Sequence, residues 1–367
     1  MDIIIGESLQ ETLRKVLLRV MYDGEEVVVR GNKTKELHPC FVEIENPRLR
    51  TLLYPKRGNN PFHSLAETMW ILAGRNDMEF LEKFLPRAKE WSDDGEVWRA
   101  GYGKRLRKAT GVRDKINNCQ GDDQCDCVFI DEVDQIEYVY ELLKEDPTSR
   151  QAIMTIWDPA KECNVKDSVD YPCNNWIHFM IRNGRLDCEV AVRSNDAVWG
   201  YSSVNVYEWT VLQEILANML NVEVGKLFYY TSSMHIYEKH YAKAASLIKT
   251  YAELPELPVF GFNIGKNSFD KYFGEVERLV KCVNDFEYGT MESLHFIGEE
   301  FEEIHNLLIA YLIFEKDKDN VLVNEYLLPS IPFSDLKVAC VWWMMKKEAG
   351  KDVPINVAIE KTRTLTF

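Results

Sequence analysis

Residues 176–193 read WIHFMIRNGRLDCEVAVR, and the reading of this stretch decides how the chain is organised. Both halves alternate with the period of a strand. Ile177, Phe179 and Ile181 fall on one face, and Trp176, His178 and Met180 on the other. Leu186, Cys188, Val190 and Val192 alternate in the same way with Asp187, Glu189 and Ala191. Between the halves lies Asn183-Gly184, a dipeptide suited to a type I′ turn, which needs positive φ at both central residues. A two-residue turn sets Arg182 opposite Arg185. Carried outward, that register puts Cys173 opposite Ser194, with Arg193 beside it, and a bulge would shift the pairing by one residue. A cysteine, an arginine and a serine thus meet at the open end of one hairpin. A neighbouring guanidinium favours thiolate over thiol, and the thiolate is the nucleophile. The same arginine and serine can also hold a phosphate.

Working outward, residues 7–22 carry Leu9, Leu13, Val16, Leu17 and Val20 at helical spacing, and EEVVVRG then reads as a strand. LAETMWILA (65–73) reads as a buried helix with a single carboxylate, Glu67, which is unusual because an unpaired buried charge is costly. Residues 105–135 read as an irregular, polar insertion. Its cysteines at 119, 125 and 127 lack a clean CxxC pair, so a solvated segment is preferred over a zinc site. A helix is expected from Asp134 to Glu145 and a strand over 151–157. In 205–220, Val206, Trp209, Leu212, Leu216 and Met219 mark a further helix, with Ser202 and Ser203 as candidate caps and Asn205 at its start. Residues 256–367 contain Pro-bounded loops and helices near 297–315 and 335–349. The expected division is a catalytic core over 1–255 and a mainly helical extension over 256–367.

Composition removes several function classes. A net charge of −15 argues against general affinity for nucleic acid, though not against a small anion held by a few arginines. No run approaches the roughly 18 apolar residues of a membrane span, and the N-terminus does not read as a signal peptide. Nine scattered cysteines fit a reducing cytoplasm better than a disulfide framework.

The motifs, taken in order, resemble the thymidylate synthase and pyrimidine hydroxymethylase superfamily. They are AETMW (66–70), GYGKRLR (101–107), SRQAIMTIWDP (149–159), PC (172–173), RSND (193–196), Gly200, Asn205 and HIY (235–237). NPFH, LAGRND and the ND-x2-WG pattern are most similar to the phage-encoded branch. The resemblance implies an α+β fold: a large mixed sheet packed by helices, here with a helical C-terminal extension. It implies a one-carbon transferase that uses 5,10-methylenetetrahydrofolate. By that resemblance Cys173 attacks C6 of the pyrimidine, and Arg193 holds the thiolate and, with Ser194, the nucleotide phosphate. Arg150 reaches the phosphate from the partner subunit, which implies a homodimer. Glu67 manages protons at the base and the folate, and Tyr102 assists removal of the C5 proton. Asp196 binds the pterin beside Gly200, Asn205 reads the base edge, and His235 and Tyr237 contact the sugar. The chemistry is coherent, because C5 is a poor nucleophile until a thiolate adds to C6.

The chain also departs from the family pattern. Asn205 is five residues after Gly200, where four is usual. Asn174 replaces a histidine, Gln151 replaces the second arginine of the dimer pair, and Ala88 stands where synthases keep a tryptophan that shields the reaction from water. The C-terminal KTRTLTF does not match the family's closing segment. Loss of a shield admits water to the exocyclic methylene left on the base, so the favoured product is hydroxymethyl. Reductive methylation by a thymidylate synthase is the alternative. A dCMP hydroxymethylase and a non-catalytic nucleotide-binding relative are further readings. A neutral amide at 205 suits the O4 and N3–H of uracil, which favours dUMP.

Overall fold

The computed structural model describes residues 2–113, 129–262, 268–288, 296, 298–318 and 320–365. The Asn-Gly hairpin forms as its sequence requires. Asn183 and Gly184 have φ of 50° and 73°, and the strands Asn174–Arg182 and Arg185–Val192 pair antiparallel with Arg182 opposite Arg185.

This hairpin supplies the fourth and fifth strands of a six-stranded mixed sheet. Its order is Asp2–Gly6, Cys40–Ile44, Glu223–Thr231, Arg185–Val192, Asn174–Arg182 and Ile153–Thr155. The edge strand Ile153–Thr155 is shorter than expected. The N–H groups of both Ile156 and Trp157 turn to the carbonyl of Asn175, where the neighbouring strand bulges and the regular ladder ends. A smaller four-stranded sheet (Asn195–Asp196, Met234–Tyr237, Asn32–Leu37, Glu25–Val29) continues from the hairpin's open end.

The two faces of the large sheet differ. Val42, Ile44, Leu227, Tyr229, Val190, Cys188, Ile177 and Phe179 are buried against helices. On the other face, Ile3, Phe41, Tyr230, Ala191, Trp176 and Thr155 form a register row that crosses all six strands. Ile3, Tyr230 and Trp176 in that row are exposed, at 58, 38 and 37%.

On the buried side the helices Leu9–Asp23 and Val206–Met219 pack against the sheet, and Pro61–Leu72 packs on Val206–Met219. Every residue of Pro61–Leu72 is buried. The chain after residue 260 explains why: Phe269–Asn284, Glu299–Phe314 and Asp335–Ala349 cover the far side of that helix. Phe62 contacts the rings of Tyr311 and Trp343 at 5.1 and 5.6 Å between centroids. Among the described residues no helix is long and apolar enough to cross a membrane.

Two local expectations need correction. The stretch 105–135 is not irregular throughout. The helix Tyr102–Arg107 runs through its start, and Ala109–Arg113 pairs antiparallel with Phe129–Val133. Cys119, Cys125 and Cys127 lie outside the described residues. Ser202 and Ser203 do not cap the following helix, because the chain is already wound through Ala197–Asn205 as a π-helical segment. The Ser202 hydroxyl instead donates to Val198 O (3.1 Å), and the Arg57 guanidinium donates to the Ser202 oxygen (3.0 Å).

Because Trp343 is buried among Phe62, Tyr311 and Phe314, Trp343→Ala should cost about 3–5 kcal/mol of stability. Chemical denaturation checks this. A loss below about 1 kcal/mol would show that the C-terminal helices do not buttress the Glu67 helix.

Candidate active site

The bulge at Asn175 shifts the pairing at the open end of the hairpin. Asn174 pairs with Val192, and the Arg193 N–H donates to the Cys173 carbonyl at 2.9 Å. Cys173 therefore faces Arg193 rather than Ser194, which follows half-buried. The Arg193 guanidinium is itself held in place: Nε donates to Pro172 O (2.9 Å) and Nη2 to Tyr171 O (3.2 Å). The same Nη2 lies 3.8 Å from Cys173 Sγ. Burial pushes the Cys173 thiol above its ordinary range, and the Arg193 charge opposes this without cancelling it. The arginine thus acts in the direction the hairpin reading gave, against the larger effect of burial.

Tyr102 stands over the same strand end. Its hydroxyl oxygen accepts from the N–H groups of Cys173 (3.3 Å) and Asn174 (3.4 Å), and its ring stacks on Trp209 at 5.8 Å. Burial raises its proton affinity, so the phenol stays neutral and can donate. Asn174, where a histidine was expected, is fully buried and accepts from Trp209 Nε1 at 3.1 Å.

Glu67 is paired, though not with an arginine. His63 Nε2, one turn earlier on the same helix, lies 2.7 Å from Glu67 Oε2. Sequence reasoning missed His63, although its i, i+4 spacing in PFHSLAE was available. It also missed Glu208, a buried carboxylate whose Oε1 accepts from Asn205 Nδ2 at 3.0 Å.

The π-helical segment explains the spacing of Asn205. A π-turn holds one residue more than an α-turn, so the extra position after Gly200 is absorbed and Asn205 still opens the helix. Gly200 packs so closely that a Cβ there would lie 2.9 Å from Asn205 Oδ1. That oxygen accepts from Asn195 Nδ2 at 2.9 Å. Asp196 starts the segment, its Oδ1 accepting from the N–H groups of Val198 (2.7 Å) and Trp199 (3.2 Å). Asp196 pairs in register with His235, whose ring meets that of Tyr237 edge-on at 5.1 Å.

Ala88 is buried, so the position of the expected shield carries no ring. A different aromatic row lies nearby: Trp91 to Trp199 at 6.2 Å, then Trp199 to His63 at 5.9 Å. Trp199, the tryptophan of the ND-x2-WG pattern, was given no role from sequence. Arg150 does not join the cluster. It is exposed and lies beyond Ile153, which pairs with His178, and so sits toward the turn end of the hairpin.

These contacts predict how Cys173 responds to pH. Its alkylation by iodoacetamide, followed by peptide mass spectrometry, should be half-maximal above the ordinary thiol midpoint of about 8.5. Arg193→Leu should move the midpoint higher still, because the only effect opposing burial is lost. Equal midpoints in the two proteins would show that Arg193 does not act on the thiol.

Comparison with known proteins follows the same residues. The thymidylate synthase family profile matches residues 31–281. A deoxyuridylate hydroxymethyltransferase of Bacillus phage SP01 is 35% identical over 356 residues, covering 96% of this chain and 87% of the relative. One from Pseudomonas phage M6 is 29% identical and covers 95% of both chains. A putative thymidylate synthase of Methanothermobacter marburgensis is 28% identical over 66% of this chain and 96% of its own. The family match spans more than half of the chain and includes Glu67, Tyr102, Cys173, Arg193 and Asn205, so this protein belongs to the thymidylate synthase family.

Proposed function

We propose that this protein transfers a one-carbon unit to C5 of dUMP, with Cys173 as the nucleophile and 5-hydroxymethyl-dUMP as the product. The observation that carries the reading is the Cys173–Arg193–Tyr102 cluster at the bulged hairpin end, in a chain similar over nearly its whole length to two phage deoxyuridylate hydroxymethyltransferases. Those two relatives also cover the C-terminal helices, whereas the archaeal putative synthase matches only about two thirds of the chain.

In this mechanism the Cys173 thiolate bonds to C6, and Arg193 steadies the negative sulfur on approach. Arg193 and Ser194, with Arg150 from a partner subunit, bind the phosphate. Asn205 offers Nδ2 to O4 and Oδ1 to N3–H of uracil. His235 and Tyr237 contact the sugar. Tyr102 relays the C5 proton through water, and the His63–Glu67 pair moves protons at the cofactor side. The residues present suit a folate: the Asp196 carboxylate, a glycine at 200 with no side chain in the way, and the half-exposed rings of Trp91 and Trp199. When bound, 5,10-methylenetetrahydrofolate supplies the carbon, and water supplies the hydroxyl. Thymidylate formation is the second reading. It is favoured by the Trp91–Trp199–His63 row, which can exclude water as the missing tryptophan would.

A homodimer fits the open sheet face. The exposed row through Ile3, Tyr230 and Trp176 is an apolar strip crossing the whole sheet, of the kind that a self-complementary interface covers. In this reading Arg150, exposed at the edge of this sheet and away from its own Cys173, serves the neighbour's site.

Cys173→Ala should abolish turnover and leave dUMP binding intact. Mass spectrometry of the wild-type product should show addition of CH2O, with dUMP preferred to dCMP. Addition of CH2 with formation of dihydrofolate would identify a thymidylate synthase instead. Mixing inactive Cys173→Ala and Arg150→Ala chains should restore about a quarter of wild-type activity through heterodimers with one intact site. No recovery would place Arg150 in its own subunit's site or outside catalysis.

A further inference from the structure

The helix Val206–Met219 buries two glutamates with opposite surroundings. Glu214 accepts from Arg48 Nε at 2.9 Å and pairs closely with Arg50, which is how a buried carboxylate is ordinarily satisfied. Glu208 is equally buried, at 2% exposure, yet among the described residues it pairs with no cation. Its Oε1 takes one hydrogen bond from Asn205, and its Oε2 is buried without a partner. Asn174 Nδ2 is a second orphan in the same cluster, joined to it through Trp209. Leaving such atoms unmatched costs about 1–3 kcal/mol each. A purely structural position on this helix would be served better by an apolar side chain.

Three titratable groups interact electrostatically with Glu208 across the packing around it. They are Glu67 on Pro61–Leu72, Tyr102 at the start of Tyr102–Arg107 and Tyr229 on Glu223–Thr231. None is cationic. Burial, and then the charge of Glu67, raise the proton affinity of Glu208 well above the usual carboxylate range. The two carboxylates thereby differ: Glu67 Oε2 lies 2.7 Å from His63 Nε2, while burial favours the protonated form of Glu208.

We propose that Glu208 is a catalytic residue that donates the proton from Oε2 to O4 of the pyrimidine as Cys173 adds to C6. This rests on the reading that Asn205 contacts the base edge. As the Sγ–C6 bond forms, the C5=C6 pair shifts toward C4, the C4=O pair moves onto oxygen, and O4 takes the proton. Glu208 is left as a carboxylate accepting from Asn205. When C5 then bonds to the incoming carbon, C4=O re-forms and the O4 proton returns to Glu208. The cycle consumes no outside acid, and Tyr102 remains free for the C5 proton.

The test is Glu208→Gln, which keeps shape and hydrogen bonding but cannot pass a proton. kcat should fall about 100-fold, with the dUMP dissociation constant, measured by calorimetry, within about threefold of wild type. The wild-type rate should decline at alkaline pH as Glu208 ionises. In the variant that decline should move upward to the ionisation of uracil N3–H. An unchanged kcat, loss of dUMP binding together with activity, or the same alkaline limb in both proteins would overturn the proposal. If Glu208→Gln does not fold, the wild type still decides. No alkaline limb below that of free dUMP would overturn the role, and a limb below it supports it. Debromination of 5-bromo-dUMP by Cys173→Ala would overturn the covalent reading beneath it, and this role with it.

Discussion

One backbone hydrogen bond, from Arg193 N–H to the Cys173 carbonyl, sets the geometry on which the site depends. It closes the hairpin after the bulge at Asn175 and brings the guanidinium, rather than the serine hydroxyl, to the sulfur. Other contacts are built on it. The carbonyls of Tyr171 and Pro172 aim the guanidinium, and the N–H groups of Cys173 and Asn174 hold the Tyr102 hydroxyl. A hairpin with uniform register would carry the same residues and disperse them. The bulge concentrates them, in keeping with the tendency of bulges to re-aim side chains next to active sites.

Burial is the second constraint, and it acts on sulfur, phenol and carboxylate in one direction. Cys173, Tyr102 and Glu208 all hold their protons more firmly than in water. The site at rest is therefore a set of neutral acids around a thiol. Arriving phosphate and base must reorganise this set. The covered underside of the Glu67 helix makes such burial possible, since Phe62, Tyr311 and Trp343 leave water no access from behind.

Much of this was legible in the sequence, because local rules govern it. Asn183-Gly184 specified the turn, alternation specified the buried face, and the helices expected near 297–315 and 335–349 form as Glu299–Phe314 and Asp335–Ala349. The ladder error was a single residue and came from Asn175, whose bulge leaves no mark in the alternation. His63 and Glu208 were overlooked for different reasons. His63 was readable as the i−4 neighbour of Glu67. Glu208 sits in a helix buried on every side, so no polar face exists from which it could stand out. Trp199 and Trp91 meet only in three dimensions, far apart in sequence. Arg150 remains separate from the site in one chain, and its expected role depends on a second copy.

The π-helical turn between Asp196 and Val206 has a consequence for how such chains drift. Its wide winding makes the number of residues between Gly200 and Asn205 adjustable, because one can be gained or lost while both ends stay anchored, Gly200 by close packing and Asn205 by Asn195 and Glu208. Position counting from the glycine would name Val204, a residue with no polar group to offer a base. An alignment to the family without a gap at this turn would therefore set Val204, rather than Asn205, at the family's asparagine position.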